Sequence, residues 1–247
     1  MKLPAIGVLL VLSFSAVGQH VKSPIRVGIA AGVNRQLLNT FQYASYRDGE
    51  SIQAEGNLGF TASLYGQKEL RDRLSVYLAP KFMHNRFNAS LTQAIPEYAV
   101  VRHGWEVKQS VYAAALGVSY IVLRGTNKQL YLKAGLVNSL EYRTMRFTGA
   151  GFSFTSNTYN NMYTLLDYTP GKSPQWLAGS ETGVGLRLYD GVDLFVGYTH
   201  NFTSSRVLAY TAEIGSERGA SDVRPTAGEL TSRNSYVSAE VIFWLNK

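Results

Sequence analysis

The sequence predicts an all-β fold, an eight-stranded antiparallel up-and-down transmembrane β-barrel with short periplasmic turns and long extracellular loops. Apolar and polar residues alternate with a period of two along eight segments, which is the pattern of strands with two unlike faces. Long and short connections alternate between these segments, as in transmembrane barrels. After the N-terminal segment, no apolar run is long enough for a transmembrane helix, so a membrane-spanning form must be a barrel.

The N-terminal residues have the features of a secretory signal peptide. Lys2 provides a positive charge, residues 6–14 form a short apolar segment, and Ala16 and Gly18 supply small residues before a cleavage site. We therefore predict a signal peptide at 1–18 and a single β-barrel domain at 19–247. The absence of Cys from the sequence excludes a cysteine-linked lipid anchor, disulfides and thiolate metal sites.

The composition fits strands joined by turns. Only 17% of the 247 residues are charged, below the roughly 25% of typical soluble domains, whereas 16 Tyr and 23 Gly are present. Tyr favours strands, and Gly favours turns and close backbone approach. The basic residues behind the net charge of +7 are scattered and form no stripe, so nucleic acid is not an expected partner.

The alternation defines eight strands, and the connections between them fall into two classes. The predicted strands are 25–34, 56–66, 73–84, 106–122, 129–144, 175–189, 192–203 and 234–245. The short connections are 67–72, 123–128 and the turn at Asp190-Gly191, and the long ones are 35–55, 85–105, 145–174 and 204–233. Because the two classes alternate, all short turns fall at one end of the barrel and all long loops at the other.

The stretch 129–143 shows how the two strand faces are assigned. Every second residue from Leu130 to Tyr142 is apolar except Asn138, whereas the other face carries Lys133 and Glu141. On the other strands, too, the polar face is rich in Gly and Ala, which fit a crowded, narrow interior. A lipocalin-like soluble barrel, the alternative, would place its apolar face inside. We therefore expect the apolar face to meet lipid and the polar face to line a packed lumen.

Charged residues of the polar face form the first candidate site. The set contains both signs and consists of Arg26, Lys81, Lys133, Glu141, Arg143, Glu181, Arg187, Asp193 and Glu240. An unpaired buried ion is costly, so we expect an internal salt-bridge network that closes the lumen, with a gated ion or solute path as the alternative. Lys133 and Glu141 lie too far apart on one strand to pair, so each is expected to find a partner on another strand.

Two further sets of residues are aromatic. We expect an interfacial girdle from apolar-face aromatics at strand ends, namely Phe82, Tyr142, Trp176 and Tyr198 toward the long loops and Tyr120 and Phe243 toward the short turns. The loop 146–175 holds Phe147, Phe152, Phe154, Tyr159, Tyr163 and Tyr168. These loop aromatics either form a binding surface for an extracellular partner or pack loop on loop and extend the strands above the membrane.

The signal peptide, the eight two-faced strands, the alternating connections and the aromatic last strand "SYVSAEVIFWL" (235–245) resemble the small outer-membrane β-barrel proteins of Gram-negative bacteria. The resemblance is to the PorT-like "outer membrane protein β-barrel" group, with the architecture of OmpA-type and OmpX-type barrels. It implies insertion by the barrel-assembly machinery, which commonly reads a C-terminal aromatic residue. Here the alternating pattern ends at Phe243 and the sequence continues through Trp244 to Lys247, so that signal is met only approximately. The resemblance identifies no activity.

The residues carry little sign of catalytic or cofactor chemistry. No two histidines among His20, His84, His103 and His200 have metal-ligand spacing, and neither a metal nor a cofactor is expected. Lipid A deacylases are barrels with a lipid-facing His and Ser at i and i+2 and a nearby Glu. Here Phe202 stands at i+2 from His200, Ser204 comes later, and Glu240 has inward parity.

We therefore expect a non-enzymatic integral outer-membrane protein with a closed, charge-paired lumen, which acts as a membrane anchor and interacts through its extracellular loops. The alternatives are a deacylase-like barrel enzyme that acts on lipid A and a narrow solute or ion channel. The expected partners are outer-membrane lipid and lipopolysaccharide, the barrel-assembly machinery, and an unidentified extracellular or periplasmic protein. The chain is expected to be a monomer.

Overall fold

The computed structural model describes residues 25–37, 41–45, 50–95, 99–125, 128–154, 162–189, 191–216 and 226–245. The predicted signal peptide at 1–18 lies outside these ranges. Within them, no helix is long and apolar enough to cross a membrane. The strands are β1 Ile25–Gln36, β2 Phe41–Ser45, β3 Glu50–Gly56, β4 Leu58–Arg71, β5 Leu74–Ile95, β6 Ala99–Arg124, β7 Gln129–Phe154, β8 Met162–Pro170, β9 Gln175–Tyr189, β10 Val192–Asn201, β11 Ser205–Ser216, β12 Thr226–Ser232 and β13 Tyr236–Trp244.

Eight of these strands close into a ring. Going round, β1 is followed by β4, β5, β6, β7, β9, β10 and β13, which pairs with β1 again. Every neighbouring pair is antiparallel, so the ring is an up-and-down barrel. The predicted fold class, an all-β antiparallel eight-stranded barrel, is therefore confirmed.

The tight connections lie at one end of the barrel, which we call the short-turn end. Residues 72–73 join β4 to β5, residues 125–128 join β6 to β7, and residues 190–191 join β9 to β10. The first strand begins and the last strand ends at the same end, where Gly28 pairs with Trp244. The long connections leave from the opposite end, which we call the long-loop end.

The long connections are themselves largely β-structured, which corrects the predicted strand bounds. The strands expected at 73–84, 106–122 and 129–144 run much further, because β5, β6 and β7 continue past the barrel as paired strands, with one register shift between β6 and β7 at Gly104 and Trp105. Residues 85–95 and 99–105 are therefore strand residues of a long hairpin and not a loop. The other long connections carry β2, β3, β8, β11 and β12. Period-two alternation persists through these segments, but their Ser, Asn and Gly content favoured loops.

These far segments form an extension beyond the barrel. We use this name for β2, β3, β8, β11, β12, residues 86–95 of β5, 99–108 of β6 and 144–154 of β7. Four of its strands pair as a separate sheet in the order β2, β12, β11 and β8, which follows the order of β1, β13, β10 and β9 below them. The extension thus continues the barrel wall as two four-stranded sheets.

Two apolar cores fill the molecule, one in the barrel and one in the extension. The barrel core centres on Tyr65, Tyr77, Tyr131 and Phe195. The extension core includes Phe87, Leu91, Trp105, Leu208 and Leu230. On β5, buried Asn85 lies between Met83 of the barrel core and Phe87 of the extension core, so a polar layer separates the two.

The outer surface of the barrel is apolar. Large apolar side chains are exposed along its strands at Ile25, Val27, Ile29, Val33, Leu58, Phe60, Leu64, Tyr112, Leu116, Val118, Tyr120, Leu132, Leu136, Trp176, Val184, Leu194, Val196, Tyr198, Val237 and Phe243. Inward neighbours on the same strands are buried, as the alternating burial of β10 and β13 shows. This is the inversion of a soluble barrel, with the apolar face outside and the mixed polar face inside.

Candidate functional site

Three buried charges form an ion-paired group in the barrel interior. Lys81 on β5 contacts the carboxylate of Glu181 on β9, and its Nζ lies 3.3 Å from Oε1 of Glu240 on β13. Glu240 also accepts hydrogen bonds from the Tyr65 hydroxyl (3.0 Å) and the Ser63 hydroxyl (3.3 Å). The structure thus brings together three of the charges that the sequence placed in the lumen, and it joins strands that are far apart in the chain.

Lys133 on β7 is buried among aromatic rings. Its Nζ lies 4.1 Å from the ring centre of Tyr65, 4.7 Å from that of Phe195, 5.1 Å from that of Tyr77 and 5.4 Å from that of Tyr131. Among the described residues it has no hydrogen-bond partner. The prediction that Lys133 forms a salt bridge is therefore wrong. The faces of the rings attract the ammonium group through their quadrupoles, and they occupy the space that a carboxylate would need.

A second ion pair closes the interior at the short-turn end. Arg187 on β9 donates from Nε to Oδ1 of Asp193 on β10 at 3.0 Å, and from Nη1 to Gln129 on β7 at 2.9 Å. Arg26 on β1 lies over the ring of Trp244, with its guanidinium carbon 4.5 Å from the ring centre. Four inward polar groups therefore cover this end from four strands.

Glu141 and Arg143 form a third ion pair near the long-loop end. The two residues are neighbours on the same face of β7, so the salt bridge of Glu141 lies within one strand, and its expected partner from elsewhere in the barrel is an amide and not a charge. The carboxylate also accepts a hydrogen bond from the side-chain amide of Asn234, which lies between β12 and β13. Arg143 donates further to the Ser205 hydroxyl and to the carbonyl of Arg206 at 3.0 Å. This pair ties the barrel rim to the start of the extension.

The barrel interior is filled by aromatic rings that rest on glycines. A Cβ added to Gly183 would lie 2.5 Å from the ring of Phe195, and one added to Gly185 would lie 2.0 Å from the ring of Tyr131. The small residues of the polar face therefore provide the space that these rings occupy. Tyr65, Tyr77, Tyr131 and Phe195 were not singled out from the sequence. Their inward parity opposite glycines was the signal that could have identified them.

The polar layer between the two cores was also missed. It consists of buried side chains from several strands and connections, including Asn34, Gln36, Asn85, Gln109, Asn201 and Asn234. Gln36 donates to the side-chain oxygen of Asn234 at 2.9 Å, and Asn201 donates to its carbonyl at 2.9 Å. Asn234 has a φ of 51°, a left-handed backbone that Asn tolerates better than most residues. This layer could not be recognised from the sequence because each member is a lone amide in a different segment.

The predicted girdle residues lie on the outer face of the barrel. Trp176 is 62% exposed, and Tyr120, Tyr142, Tyr198 and Phe243 are between 39% and 49% exposed. Phe82 is half-buried because it packs against Phe60 and Tyr112, with ring centres 5.7 Å and 5.1 Å apart. Tyr112 in turn meets Tyr142 edge-on at 5.9 Å. Phe60 and Tyr112 therefore join the girdle at the long-loop end.

The loop aromatics take part in packing where the structure describes them. Phe147 on β7 and Tyr168 on β8 stack at 6.1 Å, and each meets the buried ring of Trp105 edge-on at 6.0 Å. These two residues therefore cover the extension core, as in the second of the two interpretations. For Phe152, Phe154 and Tyr163 only the backbone is described, within β7 and β8, and Tyr159 lies outside the described residues.

The residues considered for lipid deacylation do not meet. His200 on β10 points outward and shares a hydrogen bond of 2.9 Å with the Ser235 hydroxyl, whereas Ser204 is exposed between β10 and β11. Glu240 lies inside the barrel with Lys81. Within the described ranges, no group of three or more His, Asp or Glu side chains could hold a metal ion.

His103 is buried in the extension, which lowers the pKa of its imidazole.

The closed antiparallel ring, the apolar outer surface and the filled interior define the class of the chain: an eight-stranded β-barrel of the membrane type. By sequence, no family model and no curated protein matches it. Among solved structures it is similar to the outer membrane protein OprG of Pseudomonas aeruginosa, with 12% identity over 91% of this chain and 98% of that chain and a TM-score of 0.45.

Two further solved structures have similar coverage. Neisserial surface protein A shares 15% identity over 90% of this chain and 99% of that chain, with a TM-score of 0.35. The attachment invasion locus protein Ail of Yersinia pestis shares 10% identity over 87% and 97%, with a TM-score of 0.34. At these values the similarities carry no functional argument, and the fold assignment rests on the strand pairings themselves.

Proposed function

We propose that the chain is an integral protein of the bacterial outer membrane, whose closed barrel anchors the extension at the outer face. The apolar outer surface is the observation that carries this proposal. On β1 it runs over residues 25–33, which span about 20–25 Å along the barrel axis at the usual rise and tilt of a barrel strand. That height matches the apolar band of a bacterial outer membrane barrel.

The orientation follows from the two ends. The short turns face the periplasm and the extension faces outward, as the predicted signal peptide and insertion by the barrel-assembly machinery require. Assignment to the PorT-like group is part of this proposal and rests on the architecture alone. The proposal treats the chain as a monomer, and the closed ring of eight strands leaves no barrel edge to which a second copy could add a strand.

A non-conducting lumen is part of the proposal. Lys81 with its two carboxylates, the rings around Lys133 and the pair of Arg187 with Asp193 occupy successive levels of the interior. An eight-stranded ring leaves room for little more than such side chains. The refolded chain in a planar bilayer is expected to give no stable current steps. Reproducible unit conductance would refute the closed lumen and favour a channel.

The membrane assignment has a direct test. The chain is expected in the outer-membrane fraction and to migrate faster on a gel when unheated than when boiled, because a folded barrel resists detergent. A soluble or inner-membrane chain without heat-dependent mobility would overturn the proposal.

The role of the extension is interaction at the cell surface. It has its own apolar core and two sheets, so it presents a defined surface beyond the membrane. Its partners in this proposal are outer-membrane lipid and lipopolysaccharide at its base and a protein further out. In a test variant, residues 86–107 are replaced by a short turn. If the barrel folds without the extension, this variant keeps its heat-dependent gel mobility. The intact chain is expected to bind cells or matrix proteins that this variant does not bind.

A further inference from the structure

A basic patch lies on the outer face of β5, β6 and β7 just beyond the aromatic girdle. The girdle ends there with Tyr142, which pairs with Ser110. One register step further, Arg86 pairs with Lys108, and the next step brings Arg146 beside Glu106. Side chains paired in this way on one sheet face lie about 5–8 Å apart.

The patch carries an excess of positive charge, because its cations outnumber the two carboxylates on the same face, Glu106 and Glu55, of which Glu55 pairs with Asn88. Arg86 forms an ion pair of 3.2 Å with Glu106, but its side chain remains 51% exposed. Lys108 and Arg146 are exposed, and neither forms an ion pair with a described residue. Arg102 adds a further exposed cation on β6. On the other sheet, exposed Arg206 forms an ion pair of 3.8 Å with Glu229.

The height of the patch is set by the girdle. Aromatic side chains of a membrane protein lie at the level of the lipid head groups. Lys108 lies two residues before Ser110 on β6, about 7 Å further toward the extension, so the cations lie at the outer edge of that level. Phosphate is the anionic group that lipids place there, and arginine and lysine bind it by charge-assisted hydrogen bonds.

We propose that Arg86, Lys108 and Arg146 form a binding site for the phosphate groups of a phosphorylated saccharide lipid in the outer leaflet. This inference rests on the proposed orientation in the outer membrane. The saccharide follows from the shape of the wall. The strands continue outward from the patch, and their outward side chains Asn88, Ser90 and Thr92 offer hydrogen bonds to hydroxyl groups. The head group of a phospholipid ends near its phosphate, whereas a saccharide continues along this wall.

The test measures binding of diphosphorylated lipid A to the full folded chain in zwitterionic detergent by calorimetry. The probes for comparison are lipid A without its phosphates, phosphatidylglycerol and inorganic phosphate. The variant Arg86→Gln/Lys108→Gln/Arg146→Gln is compared with Arg71→Gln/Arg73→Gln/Lys128→Gln, which removes three exposed cations from the short-turn end. At about fivefold for each cation near an anionic lipid, the patch variant should bind at least about twentyfold more weakly. The control variant should bind as the unmodified chain does.

The outcomes separate this inference from the proposed function. Unchanged binding by the patch variant, or equal binding of lipid A without phosphates, overturns the site. Equal binding of phosphatidylglycerol or inorganic phosphate overturns the saccharide lipid as its ligand. The binding is measured in detergent, so it can be read whether or not the chain reaches the outer membrane. Fractionation of cells that express the same variants reports on the membrane assignment separately.

Discussion

Replacing Lys81 by Met should strongly destabilise the barrel. Among the described residues, Lys81 is the only cation that forms an ion pair with Glu181, and it is also paired with Glu240. The three side chains are nearly inaccessible to water. Glu240 would keep its hydrogen bonds from Tyr65 and Ser63, so Glu181 bears most of the loss. Removing one partner of a buried ion pair costs about 3–5 kcal/mol. We expect a loss of about 4 kcal/mol in the free energy of unfolding, a factor of about 10³ in the equilibrium constant.

The measurement is equilibrium unfolding in urea of the refolded chain in lipid vesicles, followed by tryptophan fluorescence. The matched control is the triple variant Lys81→Met/Glu181→Gln/Glu240→Gln, which removes the charge of all three groups. It should recover stability to within about 2 kcal/mol of the unmodified chain, because none of the three replaced side chains is then an unpaired ion. A loss below about 1 kcal/mol for Lys81→Met, or a triple variant no more stable than the single one, would refute the electrostatic reasoning.

Three further variants test the packing and the titration of the molecule. Gly185→Ala should cost about 1–3 kcal/mol of unfolding free energy because its Cβ meets the Tyr131 ring, whereas Gly151→Ala, with open space around it, should cost little; equal effects would contradict the glycine packing. Trp105→Ala should destabilise the extension by about 3–5 kcal/mol and expose it to protease while the barrel stays heat-modifiable, and the half-exposed Phe147→Ala should cost less. Burial lowers the pKa of His103, so the unfolded extension takes up a proton near pH 6.5 and the folded one only at lower pH. Its stability should therefore be complete above about pH 6.5 and decrease below it, and His103→Gln should remove that part of the pH dependence in limited proteolysis; an unchanged pH profile would show that another group titrates.

The barrel was predictable because a period of two is a local signal, and each strand has one face for lipid and one for the lumen. The same signal placed Lys81, Glu181 and Glu240 inside, but it could not pair them, because pairing depends on the shear of the closed ring. Glu141 forms its ion pair with a residue two positions away on its own strand, and Lys133 contacts aromatic rings. Both results depend on which neighbours share a level of the lumen, and the order of residues along one strand does not contain that information.

The extension was missed for a different reason. Its strands have no lipid to face, so polar residues occupy their outer side and the contrast between the two faces is weaker than in the barrel. Residues 85–105 have buried apolar positions at Phe87, Leu91 and Trp105, yet their neighbours are of the kinds that also build loops. The length of the strands was misleading in the same way. Strands of more than about 10 residues are uncommon, so the segments beyond the membrane were assigned to loops.

The junction between barrel and extension is unequal around the ring. β5, β6 and β7 pass through it without a break, and the pairing of β5 with β6 runs without interruption from Leu74 to Ile95. The other five barrel strands do not continue into the extension without a break. Residues 202–204 separate β10 from β11, for example, and residues 233–235 separate β12 from β13. A continuous ladder of backbone hydrogen bonds resists bending, whereas a break in the ladder yields. A sideways force on the tip would therefore be carried by a stiff spine on one side and released by a hinge on the other, so that the extension leans in one preferred direction.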